Sequence, residues 1–146
     1  MCKLNKSDLS LDTNFDLNIG NGSTSYVLKI FEKDNYLYFA GNYLTVNNQP
    51  FTGLCRINKS NDILDTNYKI NLSGLNLDNA DGSIDIVSGN LLYHISTTFP
   101  RFRIIDLDQQ KMLFTGNPTA APSNANLVGL SNANGNLFLY ANSYFY

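Results

Sequence analysis

Asp12 and Asp65 stand in the same surroundings, Leu11-Asp12-Thr13-Asn14-Phe15 and Leu64-Asp65-Thr66-Asn67-Tyr68. Two carboxyl groups can hydrolyse a glycoside when both face one substrate at roughly 5–9.5 Å. Equivalent residues of neighbouring repeats meet that demand only by accident. An Asp heading an Asp-Thr-Asn turn, by contrast, accepts backbone N–H bonds with no second partner. Both therefore read as turn residues. His94 is the only histidine, set between Tyr93 and Ile95. A metal site or catalytic dyad needs partners that a lone imidazole lacks, so His94 reads as packed or hydrogen-bonded within the fold. Cys2 and Cys55 head two similar phrases and read as small buried apolar groups rather than a disulfide or a nucleophile.

Two loops imitate ligand motifs. Residues 77–85, LDNADGSID, resemble a calcium loop, but its register puts Leu77 in the first ligand position and no Glu in the twelfth. Asx turns account for it better. The run GNGSTS at 20–25 lacks the Lys of a phosphate-binding loop and any following helix. It reads as a turn. No catalytic, cofactor-binding or metal-binding residue is assigned, and no cofactor is expected. The remaining chemistry is aromatic: nine Tyr and nine Phe without a Trp, which pack between sheets or offer flat faces to sugars. Tyr140, Tyr144, Phe145 and Tyr146 form the candidate contact surface for a protein partner or a glycan, since an exposed aromatic cluster demands one.

The totals narrow the classes. The chain has 146 residues, 43% of them hydrophobic, which suits one soluble globular domain. A net charge of -2 argues against a nucleic-acid surface. The nearest thing to a basic patch, Arg101-Phe102-Arg103, reads as a solvated turn or strand edge. No apolar run approaches the roughly 18 residues that cross a bilayer, and no signal-peptide pattern opens the chain. No nucleic acid or membrane is expected as a partner.

The elements that hold these residues recur. CKLNKSDLSLDTNF at 2–15 returns as CRINKSNDILDTNY at 55–68, with eight of the fourteen positions identical. A spacing of that size between copies points to stacked supersecondary units. A second phrase, KDNYLYFAGN at 33–42, recurs as VSGNLLYHIS at 87–96 and NANGNLFLYAN at 132–142, aligning Leu37, Leu91 and Leu137. Each places a small, Asn or Gly turn before an apolar-aromatic run, the signature of a hairpin. Hairpins are expected to turn at 34–35, 89–90 and 134–135, with YVLKIFE, IDIV and LVGL supplying the first strands. Cys2 and Leu4 alternate with polar residues, as do Cys55 and Ile57, so the first phrase also reads as strand. A weaker third copy falls at Ile105-Asp106-Leu107-Asp108, while 18–25 and 116–126 read as loops. About twelve short strands and almost no helix are expected. The predicted core comprises Leu4, Leu28, Ile30, Leu37, Phe39, Ile57, Leu91, Tyr93, Leu107 and Leu137.

With those phrases in place, the chain resembles the delta-60 repeat family, which forms β-propeller-like arrays in bacterial surface proteins and some phage proteins. Residues 34–43 match the opening of that repeat, Cys55-Arg56-Ile57-Asn58 its middle, and Asp65-Thr66-Asn67-Tyr68 and Asp12-Thr13-Asn14-Phe15 its close. The resemblance implies an all-β array of about three four-stranded blades: half-repeat 1–23, repeat 24–75, degenerate repeat 76–123 and half-repeat 124–146 of a single domain. It implies no catalytic signature. The function expected is a non-enzymatic structural or interaction module of a phage virion (tail or fibre) or a bacterial surface assembly. The alternative is a carbohydrate-binding propeller module using Tyr faces. Three blades leave open flanks, so the strand tally predicts a piece of a longer propeller or closure by self-association, two copies giving six blades.

Overall fold

In a computed structural model the described residues are 1–20, 25–70, 84–87, 89–95, 102–116, 126–133 and 136–142. They form an all-β fold with no helix among them. The strands are β1 (Ile19–Gly20), β2 (Tyr26–Lys33), β3 (Tyr36–Asn42), β4 (Thr45–Val46), β5 (Gln49–Pro50) and β6 (Leu54–Asn58). They continue as β7 (Ile84–Val87), β8 (Leu91–Ile95), β9 (Phe102–Asp106), β10 (Lys111–Gly116), β11 (Asn126–Ala133) and β12 (Asn136–Asn142). The chain divides into two compact units, Met1–Lys69 and Ile70–Tyr146, a boundary that falls inside the repeat drawn over 24–75.

In the first unit β3 is the centre of an antiparallel sheet ordered β2-β3-β6. Asp34-Asn35 turns the β2–β3 hairpin, with Asp34 in the left-handed region at φ 53. The ladder shifts between Val27 and Lys29, and Gly41 lies where the bulge crowds it. A Cβ there would meet the Tyr26 carbonyl oxygen at 2.2 Å, so only glycine fits. One sheet face presents Phe39, Cys55 and Ile57, which pack with Leu17, Tyr43, Val46 and Phe51 into the core. The opposite face buries Tyr38, stacked on Phe31 at 5.0 Å between ring centroids and edge-on to Tyr68 at 5.6 Å. A small sheet ordered β1-β4-β5 flanks them. Asn47 and Asn48, at φ 49 and 61, turn its hairpin, and Val46 reaches the core from it.

In the second unit one sheet is ordered β10-β9-β8-β7, and β11–β12 form a separate hairpin. This hairpin repeats β2–β3 pair for pair. Asn126↔Asn142, Leu127↔Ala141 and Gly129↔Tyr140 match Tyr26↔Asn42, Val27↔Gly41 and Lys29↔Ala40, each one hundred positions on, with the bulge at the same place.

Several expectations change. Leu4 is 52% exposed because its segment forms only an isolated bridge to Leu11 and lies on no described sheet. Cys2 is exposed for the same reason, while Cys55 is buried; both are free thiols. Ile30 is 50% exposed: it faces the core side, but from edge strand β2, beyond the residues that cover β3 and β6. Leu91 is only partly buried and Leu92 takes the core place. The turn between Val87 and Leu91 spans three residues rather than two, and that extra residue moves the alternation by one. Phe39, Ile57 and Leu107 are buried; Leu28, Leu37 and Tyr93 are partly so. The Leu137 side chain lies outside what is described. Only one sheet has four strands among the described residues. Ile19–Gly20 is a strand within the segment read as loop, and 117–125 lie outside the described residues.

Candidate functional site

The repeated phrase folds the same way twice. In the first copy Asn5 N–H donates to the Ser10 carbonyl and Leu9 N–H to that of Asn5, at 2.9 and 2.8 Å. In the second, Asn58 N–H donates to Ile63 and Asp62 N–H to Asn58, again at 2.9 and 2.8 Å. Leu9 and Asp62, in equivalent places, both take the left-handed conformation, φ 60 and 59. Asp12 Oδ1 accepts the N–H of Asn14 at 3.1 Å, and Asp65 Oδ1 that of Asn67 at 3.1 Å. The two aspartates are turn residues, as their sequence context implies. The Asn14 N–H, with the Lys3 ammonium behind it, holds the Asp12 carboxyl below the usual carboxylate range.

Each turn carboxylate also binds the cation two residues before the matching Asn. Lys3 Nζ stands 3.2 Å from Asp12 and 5.8 Å from the centre of the Phe15 ring. Arg56 donates to Asp65 Oδ2 through Nε and Nη2 at 2.9 and 2.7 Å. Its guanidinium lies 3.7 Å over Tyr36 and 4.1 Å from Tyr68, and Nη1 donates to the Tyr38 hydroxyl at 3.1 Å. Arg56 is thus held by a carboxylate and three aromatic rings. Lys3 also pairs with Asp62, linking the first loop to the second. The sequence showed the conservative exchange of Lys3 for Arg56 but not that it carries the ring cage. The alternation of Tyr36, Tyr38 and Arg56 about one strand pairing was the available signal.

Two open hollows border the second loop. One of about 370 Å³ is lined by Asn35, Asn58, Lys59 and Ser60. Another of about 270 Å³ includes Tyr36, Asn61, Asp65 and Asn67. The carboxylate in the second is already committed to Arg56 and the Asn67 N–H. What their described lining offers is amide and hydroxyl hydrogen bonding beside the Lys59 ammonium.

His94 is fully buried in β8, opposite Arg103 of β9. Arg103 Nη1 lies 3.1 Å from His94 Nδ1. A guanidinium only donates, so Nδ1 accepts and the ring proton sits on Nε2, which has no partner among the described residues. Burial, with the Arg103 charge adding to it, pushes His94 down to about pKa 3. The structural reading of His94 holds. That of Arg103 does not: it is a buried residue of an inner strand, not a solvated edge, and Phe102 beside it is buried too. Arg101 lies outside the described residues. The third copy is also re-registered. Asp106 Oδ1 accepts the Asp108 N–H at 2.9 Å as Asn58 Oδ1 accepts that of Ser60 at 2.9 Å, so Asp106, rather than Asp108, matches Asn58. In that register His94 and Arg103 occupy the places of Phe39 and Cys55. Burial raises the Cys55 thiol to about 11, so it is no nucleophile at neutral pH.

Of the aromatic cluster, Tyr140 lies in β12 opposite Gly129, and Tyr144, Phe145 and Tyr146 lie outside the described residues. So do 21–24 of the glycine run and 77–83 of the calcium-like loop. Among the described residues no group of three His, Cys, Asp or Glu could hold a metal ion, and no helix is long and apolar enough to cross a membrane. No family profile, curated protein or solved structure matches the chain.

Proposed function

We propose that this chain is a non-enzymatic structural and interaction module, a β-propeller-type repeat array of the delta-60 kind that works within a larger assembly. One observation carries the reading. The fourteen-residue phrase, duplicated in sequence, is duplicated in hydrogen bonds and φ angles, and in each copy the turn carboxylate pairs with that copy's own cation. Residues kept for their own loop geometry mark a building unit rather than a reaction site. A virion tail or fibre, or a bacterial surface appendage, is the setting that the resemblance supports.

The carbohydrate-binding alternative gains little from the described tyrosines. Tyr38, Tyr43 and Tyr68 are buried, and Arg56 lies over the face of Tyr36. A glycan array run beside a panel of chromogenic glycosides tests the proposal. Silence on both is expected. Saturable glycan binding that Tyr36→Ala or Tyr140→Ala abolishes would establish the lectin instead, and turnover of any glycoside would make the chain an enzyme.

A further inference from the structure

The hairpin β2–β3 carries a third strand, β6, while the matching hairpin β11–β12 carries none among the described residues. Among the described residues the third strand's own sequence copy, Cys2–Asn5, joins no sheet: it makes the Leu4–Leu11 bridge and the hydrogen bonds of its own loop. One unit therefore shows a complete three-stranded sheet, and the chain separately holds both components of a second. We infer that the outer edge of β12 is a docking edge for residues Cys2–Asn5 of a second copy of this chain. The inference rests on the repeat geometry of the reading above and adds to it the partner and the register.

The complete sheet dictates that register. Leu37 pairs with Ile57, Tyr38 with Arg56 and Phe39 with Cys55. Carried over through the two sequence offsets, Leu137 meets Leu4, Phe138 meets Lys3 and Leu139 meets Cys2. The exposures fit. Phe138 is 49% exposed where its counterpart Tyr38 is 1%, and Leu4 is 52% exposed where Ile57 is 0%. Docking gives both apolar side chains the cover that their counterparts have, and supplies main-chain partners to an edge that is unpaired among the described residues. Lys3 comes beside Phe138 as Arg56 stands 5.9 Å from the centre of the Tyr38 ring. Two copies can satisfy each other reciprocally, which closes the contact in a dimer instead of a filament.

The Leu139→Cys variant tests the contact directly, because cross-strand neighbours lie within disulfide reach. With the full chain at micromolar concentration, mild oxidation is expected to join the new thiol to Cys2 between chains, giving a covalent dimer on a non-reducing gel. Cys2→Ser in the same background should abolish the band. A product linked within one chain would mean that the segment docks on its own β12, and an unlinked chain would mean that the edge takes something else. Either result overturns the proposal. Light scattering of the unaltered chain gives the independent check: a two-chain mass is expected, and Phe138→Asp or Leu4→Asp alone should yield monomer with an unchanged β-sheet circular dichroism spectrum. Mixing those two variants should restore dimer through the one intact contact. A monomeric parent chain that is also silent on glycans and glycosides would refute the docking while leaving the module reading intact.

Discussion

Asp12 and Asp65, fifty-three positions apart, each accept the backbone N–H two residues on at 3.1 Å, and each pairs with the cation of its own phrase. The surroundings differ. The Asp65–Arg56 pair has side chains 18% and 17% exposed, whereas Lys3 is 43% exposed. Asp65→Asn keeps an oxygen for the turn and removes the charge that holds Arg56 among its rings. We expect it to cost about 1.5–3 kcal/mol in urea unfolding, and Asp12→Asn to cost distinctly less, since that pair is exposed and screened by solvent. Equal losses would show that the ring cage adds nothing.

Ile57 and Ile30 separate core from edge. Ile57→Ala removes a fully buried side chain and should cost about 2–5 kcal/mol. Ile30→Ala, at a half-exposed place on β2, should cost less than about 1 kcal/mol. A large loss at Ile30 in dilute monomer would mean that the core extends across the edge strand.

His94 makes stability depend on pH. Its value falls from 6.5 to about 3 on folding, so between those limits the unfolded chain binds the extra proton. The stabilisation is complete above pH 6.5 and is lost as pH drops below it. Between pH 7 and pH 5 this side chain should remove about 2 kcal/mol. Replacing His94→Phe together with Arg103→Cys installs the pair found at Phe39 and Cys55 and should flatten that slope. An unchanged slope would show that His94 titrates as if exposed.

The thiols differ in the same way. Cys2 is exposed and Cys55 is buried, with its pKa raised to about 11. In the monomeric Phe138→Asp variant an aromatic disulfide reagent should modify one thiol per folded chain and two in denaturant, and adding Cys2→Ser should leave none reactive in the folded state. Rapid reaction at Cys55 would contradict the core assignment.

The hairpins were legible in the sequence because their signals are local. Asp34 and Gly89 supply positive φ between apolar runs, and the Asp-Thr-Asn turns need no distant contact. Exposure was not legible, because it depends on what a strand lies against. Cys2 and Leu4 share the pattern of Cys55 and Ile57 yet join no sheet among the described residues. The buried His94–Arg103 pair was hidden for a related reason. Its meaning follows from a cross-strand register that one extra turn residue had shifted.

An experimental structure at side-chain resolution tests the central claim, that one unit is used repeatedly, most directly. The measurement is the superposition of each copy on its counterpart. The account predicts that residues 2–15 superpose on 55–68 down to the Asp–cation pairs, and that β11–β12 superposes on β2–β3 with its bulge at the same step. A first phrase that does not superpose on the second, or a β11–β12 hairpin without that bulge, would contradict it.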